Sequence, residues 1–216
     1  MTDKEILIFV EGLSDKIFLE VYLYFLEDFP IKNFKVKDVT GKDNLPNRLL
    51  ENEKYDKTLI IFDADKDYES NKKEILKVVS KTQQQQKIIE EQIFLFPNNQ
   101  DDGDLETLLL EIAKHDEFLK CFEGYLECIK SKEHYKPIKN IRKSKWYAYL
   151  QVFELQNFFK DNRNRNDKKN EEKIIIDDKG KIRREYKEEY EKLKEVIDFN
   201  SKSLIPLKNF LGQFAK

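Results

Sequence analysis

Ile6 to Val10 and Leu59 to Phe62 are unbroken apolar runs, and each stops at carboxylates: Glu11 after the first, Asp63 and Asp65 after the second. Short runs of Ile, Val, Leu and Phe predict strands buried on both faces, as in the interior of a parallel sheet. Ile93 to Phe96 predicts another. Phe34, Val36 and Asp38, alternating with Lys35 and Lys37, predict a shorter and more exposed strand. Between these runs the period changes. Ile17, Phe18, Val21, Tyr22, Phe25 and Leu26 share one face of a helix over about Asp15 to Glu27, with Ser14 as its cap. Gly41 turns the chain into a helix near Asp43 to Leu50, and a polar helix is expected from about Ser70 to Glu90, including the Gln83 to Gln86 run. Strand and helix alternate four times in the first half. That pattern predicts an α/β fold: a Rossmann-like, four-stranded, mainly parallel sheet with helices on both faces.

The second half reads as helical. A polar loop, Asn98 to Gly103, leads into a helix from Asp104 to Leu110, followed by helices over Phe118 to Ile129 and Lys139 to Phe159. Residues 160–172 are almost wholly Asn, Asp, Lys, Arg and Glu, which predicts a mobile excursion. Ile174 to Ile176 and Lys181 to Arg183 flank Asp177-Asp178-Lys179-Gly180 as a small hairpin. A charged helix near Arg184 to Val196 follows, and Ser203 to Phe214 is expected to dock through Leu204, Leu207, Phe210 and Leu211. The expected organisation is an α/β domain over residues 1–113 with a helical extension, 114–216, packed on it.

Charge is unevenly spread behind a net value of −2. Asn98 to Glu127 holds nine acids against two bases, whereas Lys136 to Asn170 holds ten bases against three acids. An acidic pocket beside a basic strip suits a metal site that must also hold a polyanion. Cys121 and Cys128, seven apart on one helical face, are expected to be half-buried thiols in a reducing compartment. The first apolar run is too short for a signal peptide and no segment reaches membrane-span length, so a cytoplasmic protein is expected.

The acids carry the chemistry. Parallel strands share one carboxyl edge, and ligands of open α/β sheets bind in the crevice outside it, so Glu11, Asp63 and Asp65 are expected to converge. Carboxylates gathered there repel unless a cation sits among them. Oxygen donors without nearby His or Cys favour Mg²⁺ or Mn²⁺. Asp-x-Asp after a strand also marks aspartyl-phosphate enzymes, which carry it on the first strand with a hydroxyl residue two positions on. Here it follows the third strand and that position is Asp67, an added carboxylate that strengthens a cation site.

The order strand-Glu11-Gly12, then Asp15 in the next helix, then strand-Asp63-Ala64-Asp65, then Gly103-Asp104-Leu105-Glu106 opening a helix, resembles the Toprim domain. That domain is shared by topoisomerases, bacterial primases, recombination-repair proteins, ribosomal-RNA maturases and nucleases of the overcoming-lysogenization-defect group. The resemblance implies that Glu11 is a general acid/base or metal ligand and that Asp63 and Asp65 are metal ligands. It also implies that Asp15 and Glu106 are the additional acids of the nuclease branch, which uses two metals. The whole chain is similar to small standalone Toprim-related proteins of unassigned function, through the loop Pro97 to Glu106, a Lys-bearing helix at Lys143 to Tyr149 and a tail at Ser203 to Leu211. A topoisomerase's tyrosine domain, a primase's zinc ribbon and a nuclease's fused ATPase are not expected from these 216 residues.

The chemistry expected from these residues is phosphodiester cleavage aided by one or two Mg²⁺ or Mn²⁺ ions. Glu11, beside Gly12, is placed to exchange a proton with the attacking or leaving oxygen. Lys145, or in second place Lys143, would offset charge on the phosphate while Arg142 and Lys139 hold the strand. Three functions remain open: a nuclease or nicking enzyme acting on DNA or RNA, in mobile-element or phage defence; a non-catalytic metal- and nucleic-acid-binding partner subunit working with a second protein such as an ATPase; and an RNA-processing maturase.

Overall fold

The computed structural model describes residues 5–26, 33–82, 87–160 and 173–215. Ile6–Val10 (β1), Phe34–Asp38 (β2), Lys57–Asp63 (β3) and Ile93–Phe96 (β4) form one sheet in the order β2-β1-β3-β4, with every neighbouring pair parallel. Every residue of β1 and β4 is buried, as unbroken apolar runs require when helices cover both faces. Alternation along each strand divides the core. Ile8, Val10, Leu59, Ile61, Phe94 and Phe96 face one side, and Leu7, Phe9, Ile60, Phe62 and Leu95 face the other.

The second face is covered by the short helix Leu45–Arg48 (α2) and by Tyr68–Lys81 (α3), which buries Ile75 and Val79. On the first face lie Leu13–Phe25 (α1), Leu105–Glu111 (α4), Ile141–Val152 (α6), Lys187–Val196 (α7) and Ile205–Gly212 (α8), all feeding one apolar cluster. Asp116–Lys130 (α5) packs more loosely, burying Leu119 and Leu126. Residue 113 is no gap in this packing. Ala113 bridges Ile197, Lys114 donates to the Val196 carbonyl at 3.0 Å, and Asp198 donates to the Ile112 carbonyl at 2.8 Å.

Four expectations are corrected. Gly12, not Ser14, is the cap of α1, and its N–H is taken by the Asp15 carboxylate. α3 stops at Lys81 because extended Thr82 returns its hydroxyl to the Val78 carbonyl, and Ile88 is drawn into the core; residues 83–86 lie outside the described set. α6 ends at Val152, where left-handed Glu154 lets Leu155 donate back to the Leu150 carbonyl and sends Leu155, Phe158 and Phe159 into the core. The charged run 161–172 also lies outside the described residues. The hairpin is present as an Ile176 to Ile182 bridge. Cys121 and Cys128 are free and exposed, not half-buried, because each lies two residues, about 200°, round α5 from the buried Leu119 and Leu126.

Candidate metal centre and nucleic-acid interface

Glu11, Asp63 and Asp65 follow neighbouring parallel strands and reach the same sheet edge. Asp63 closes β3, and its Oδ1 accepts the Leu105 N–H at 2.9 Å, pinning the start of α4 to the strand end. Glu106 is thereby carried to the edge. Asp15, in the first turn of α1, is buried, its Oδ2 2.9 Å from the Gly12 amide. Asp104 caps α4 through the Thr107 N–H at 2.8 Å, and its other oxygen takes Arg142 Nε at 2.9 Å and Nη2 at 2.7 Å. Asp65 has φ 55° and donates its N–H to the Gly103 carbonyl. Gly103 itself sits at φ 149°, where a Cβ would come within 2.9 Å of the Pro97 ring, so only glycine fits this crossing of the two site loops.

A cavity of about 430 Å³ opens here, lined by Glu11, Asp15, Asp63, Glu106, Lys143 and Tyr147 among others. Its floor is electrostatically unfavourable for anions. Burial pushes Asp15 up to about 7, with repulsion from Glu106 and then Glu11 adding to it. Burial, then Asp15 and Glu11, holds Asp63 well above the ordinary carboxylate range. Burial also raises Glu11 and Glu106, opposed most by Lys42 and Lys143 respectively. Among the described residues no group of three or more His, Cys, Asp and Glu side chains stands arranged to hold a metal ion. Glu11 Oε2 is buried with no hydrogen-bond partner and has Lys42 Nζ 3.7 Å away, a hard donor in a cluster that gains from a cation.

Residues 5–216 match a family described as a protein of unknown function, DUF3226. The chain belongs to the DUF3226 family. No curated protein and no solved structure matches it. No helix among the described residues is long and apolar enough to cross a membrane.

This DUF3226 chain does not treat all the expected site residues alike. Asp67 caps α3, its Oδ1 accepting the Ser70 N–H at 2.9 Å. We expect Asp67→Ala to lose about 1 kcal/mol in a denaturant melt, as caps do, with divalent-ion affinity unchanged. Loss of ion affinity would return Asp67 to the site. Lys145 pairs with Glu123 of α5 and does not line the cavity. Lys143 does line it, 3.8 Å from Glu106. Arg142 is committed to Asp104, and Lys139 is exposed just before α6.

Lys42, which the acid pattern does not single out, enters the cluster. It pairs with Asp65 and lies 3.7 Å from Glu11 Oε2. Burial works to lower its ammonium, but the Asp65 hydrogen bond and the charges of Glu11 and Asp65 hold it above the ordinary lysine value. A signal existed: Gly41-Lys42 comes just two residues, Val39 and Thr40, after the end of β2, at the same carboxyl edge that singles out the acids. Asn71, Tyr147 and Lys160 carry no comparable sequence mark. Tyr147 reaches the site from α6, its hydroxyl 3.4 Å from Ser14 Oγ, and Lys160 Nζ lies 5.5 Å from its ring centroid.

Proposed function

We propose that this chain is a Toprim-type phosphodiesterase that cleaves nucleic acid with Mg²⁺ or Mn²⁺, working in the cytoplasm. The observation that carries the reading is the meeting of Glu11, Asp15, Asp63 and Glu106, drawn from separate segments, around one cavity with Glu11 Oε2, buried without a hydrogen-bond partner, beside it. Asp63, Glu106 and Asp15 would hold the ion, with Glu11 beside it on the same cavity wall. When bound, one or two such ions supply an activated water and charge neutralisation at the leaving oxygen.

The chain's own groups have distinct tasks. Glu11, at the end of a fully buried strand and raised by burial, holds or releases a proton at the reacting oxygen. Lys143, about half exposed at the cavity rim, meets the phosphate in place of Lys145. Lys139 and Lys160 extend the cationic side along which a strand would lie. Exposed, free Cys121 and Cys128 suit a reducing compartment.

The reading is tested by incubating the purified protein with single- and double-stranded DNA and structured RNA, in Mg²⁺, Mn²⁺ or EDTA. Cleavage in either metal and none in EDTA is the expected result. Intact substrates in all three overturn it. We also expect Lys143→Ala to weaken binding about tenfold by fluorescence anisotropy and Lys145→Ala to change it little, because a single phosphate contact is worth roughly that much. The reverse ranking would restore Lys145 to the site.

A further inference from the structure

The Lys42 ammonium is enclosed by oxygens. Besides its pair with Asp65, Nζ donates to Asn71 Oδ1 at 3.1 Å and to the Asp63 carbonyl at 3.3 Å, with Glu11 Oε2 3.7 Å away. These oxygens come from the ends of β1 and β3, from the Asp63 to Asp65 turn and from α3, and they are the hard donors a divalent ion takes. The shell is itself held. Asn71 Nδ2 donates to the Ala64 carbonyl at 2.7 Å and the Asp67 carbonyl at 3.1 Å, which turns Oδ1 toward Lys42. The backbone beside Lys42 is tied to β1 by Gly41 N–H donating to the Glu11 carbonyl at 3.0 Å.

The site therefore has two unequal sides. Glu11 and Asp65 face a cation the chain carries, whereas Asp15, Asp63 and Glu106 are left with backbone amides and with Lys143 at 3.8 Å from Glu106. Two like-charged centres packed against the same few oxygens would repel strongly. Resting on the reading above that this edge is a divalent-cation site, we propose that Lys42 is a built-in cation filling the Asp65 side. The chain then takes a single divalent ion, on the side of Asp15, Asp63 and Glu106. Lys42 is a positioning residue in this scheme: it holds Asp65 and Glu11 in place and supplies the charge that a second ion would bring.

The test counts ions on the full chain, by Mn²⁺ titration followed by electron paramagnetic resonance and by calorimetry. Wild type and Lys42→Arg are expected to bind one ion, and Lys42→Met two. Asp65→Asn added to Lys42→Met should return the count to one. If Lys42→Met fails to fold, Lys42→Gln, which loses the charge but keeps a donor for Asn71, serves instead. Two ions in wild type, or one in both wild type and Lys42→Met, overturn the proposal while leaving the cation-site reading intact. No ion in any variant removes both.

Discussion

Glu11→Gln is expected to lower metal-dependent cleavage at least about 100-fold, the scale on which loss of one charge-stabilising or proton-transferring group acts. Its melting temperature in EDTA should be unchanged or raised. The two readouts separate because Glu11 contributes unfavourably to the empty site. Its Oε2 is buried without a hydrogen bond, and burial raises its carboxyl by more than Lys42, 3.7 Å away, lowers it, with Asp65 adding repulsion. Gln keeps the shape, removes the charge and cannot exchange a proton at the reacting oxygen. Rates from a labelled oligonucleotide, beside thermal melts of the same preparations, check both halves. Unchanged cleavage would remove Glu11 from the chemistry, whereas a large drop in melting temperature would make it a structural residue.

The second large effect is on stability against pH. Without a divalent ion, the protein should lose stability as pH rises from about 4 to about 7, the interval between the ordinary and the raised carboxyl values of Asp15. In that window the folded chain still binds protons that the unfolded chain has released. The contribution is thus complete below the ordinary value and is lost as pH passes the raised one. Asp15, fully buried, accounts for about 2 to 4 kcal/mol, or roughly 5 to 10 °C in a chain of this size. Asp63 shifts in the same direction, for burial first and then its acidic neighbours. Asp63→Asn, whose amide oxygen can still accept the Leu105 N–H, should therefore melt higher than wild type in EDTA at pH 8. Millimolar Mg²⁺ should recover the wild-type loss and leave the variant unmoved. A flat wild-type profile, or equal Mg²⁺ gains in both proteins, would contradict the scheme.

The sheet was legible because its strands are nearly pure signal. Ile6 to Val10 and Ile93 to Phe96 hold no polar residue, and burial on both faces demands that. Parallel pairing then brought Glu11 and Asp63 to one edge without any knowledge of side-chain contacts. Helix ends were harder. Gly12 displaces Ser14 as the cap because the Asp15 carboxylate takes the Gly12 amide, and α6 ends early through left-handed Glu154. Neither event has a local sequence requirement that pattern alone exposes. The cations were hardest of all. Lys143 and Lys145 are two residues apart on one helix, about 200° round it, so one reaches Glu106 and the other Glu123. Which of them faces the acids depends on the rotation of α6, and that rotation is set by Trp146, Tyr149 and Leu150 entering the core.

The most direct test of the central claim is anomalous diffraction from crystals grown with Mn²⁺. A peak is expected at coordination distance, about 2.1 Å, from Asp63 and at least one of Asp15, Glu106 and Glu11. Mn²⁺ bound elsewhere, with these carboxylates keeping only their amide and lysine partners, would contradict it.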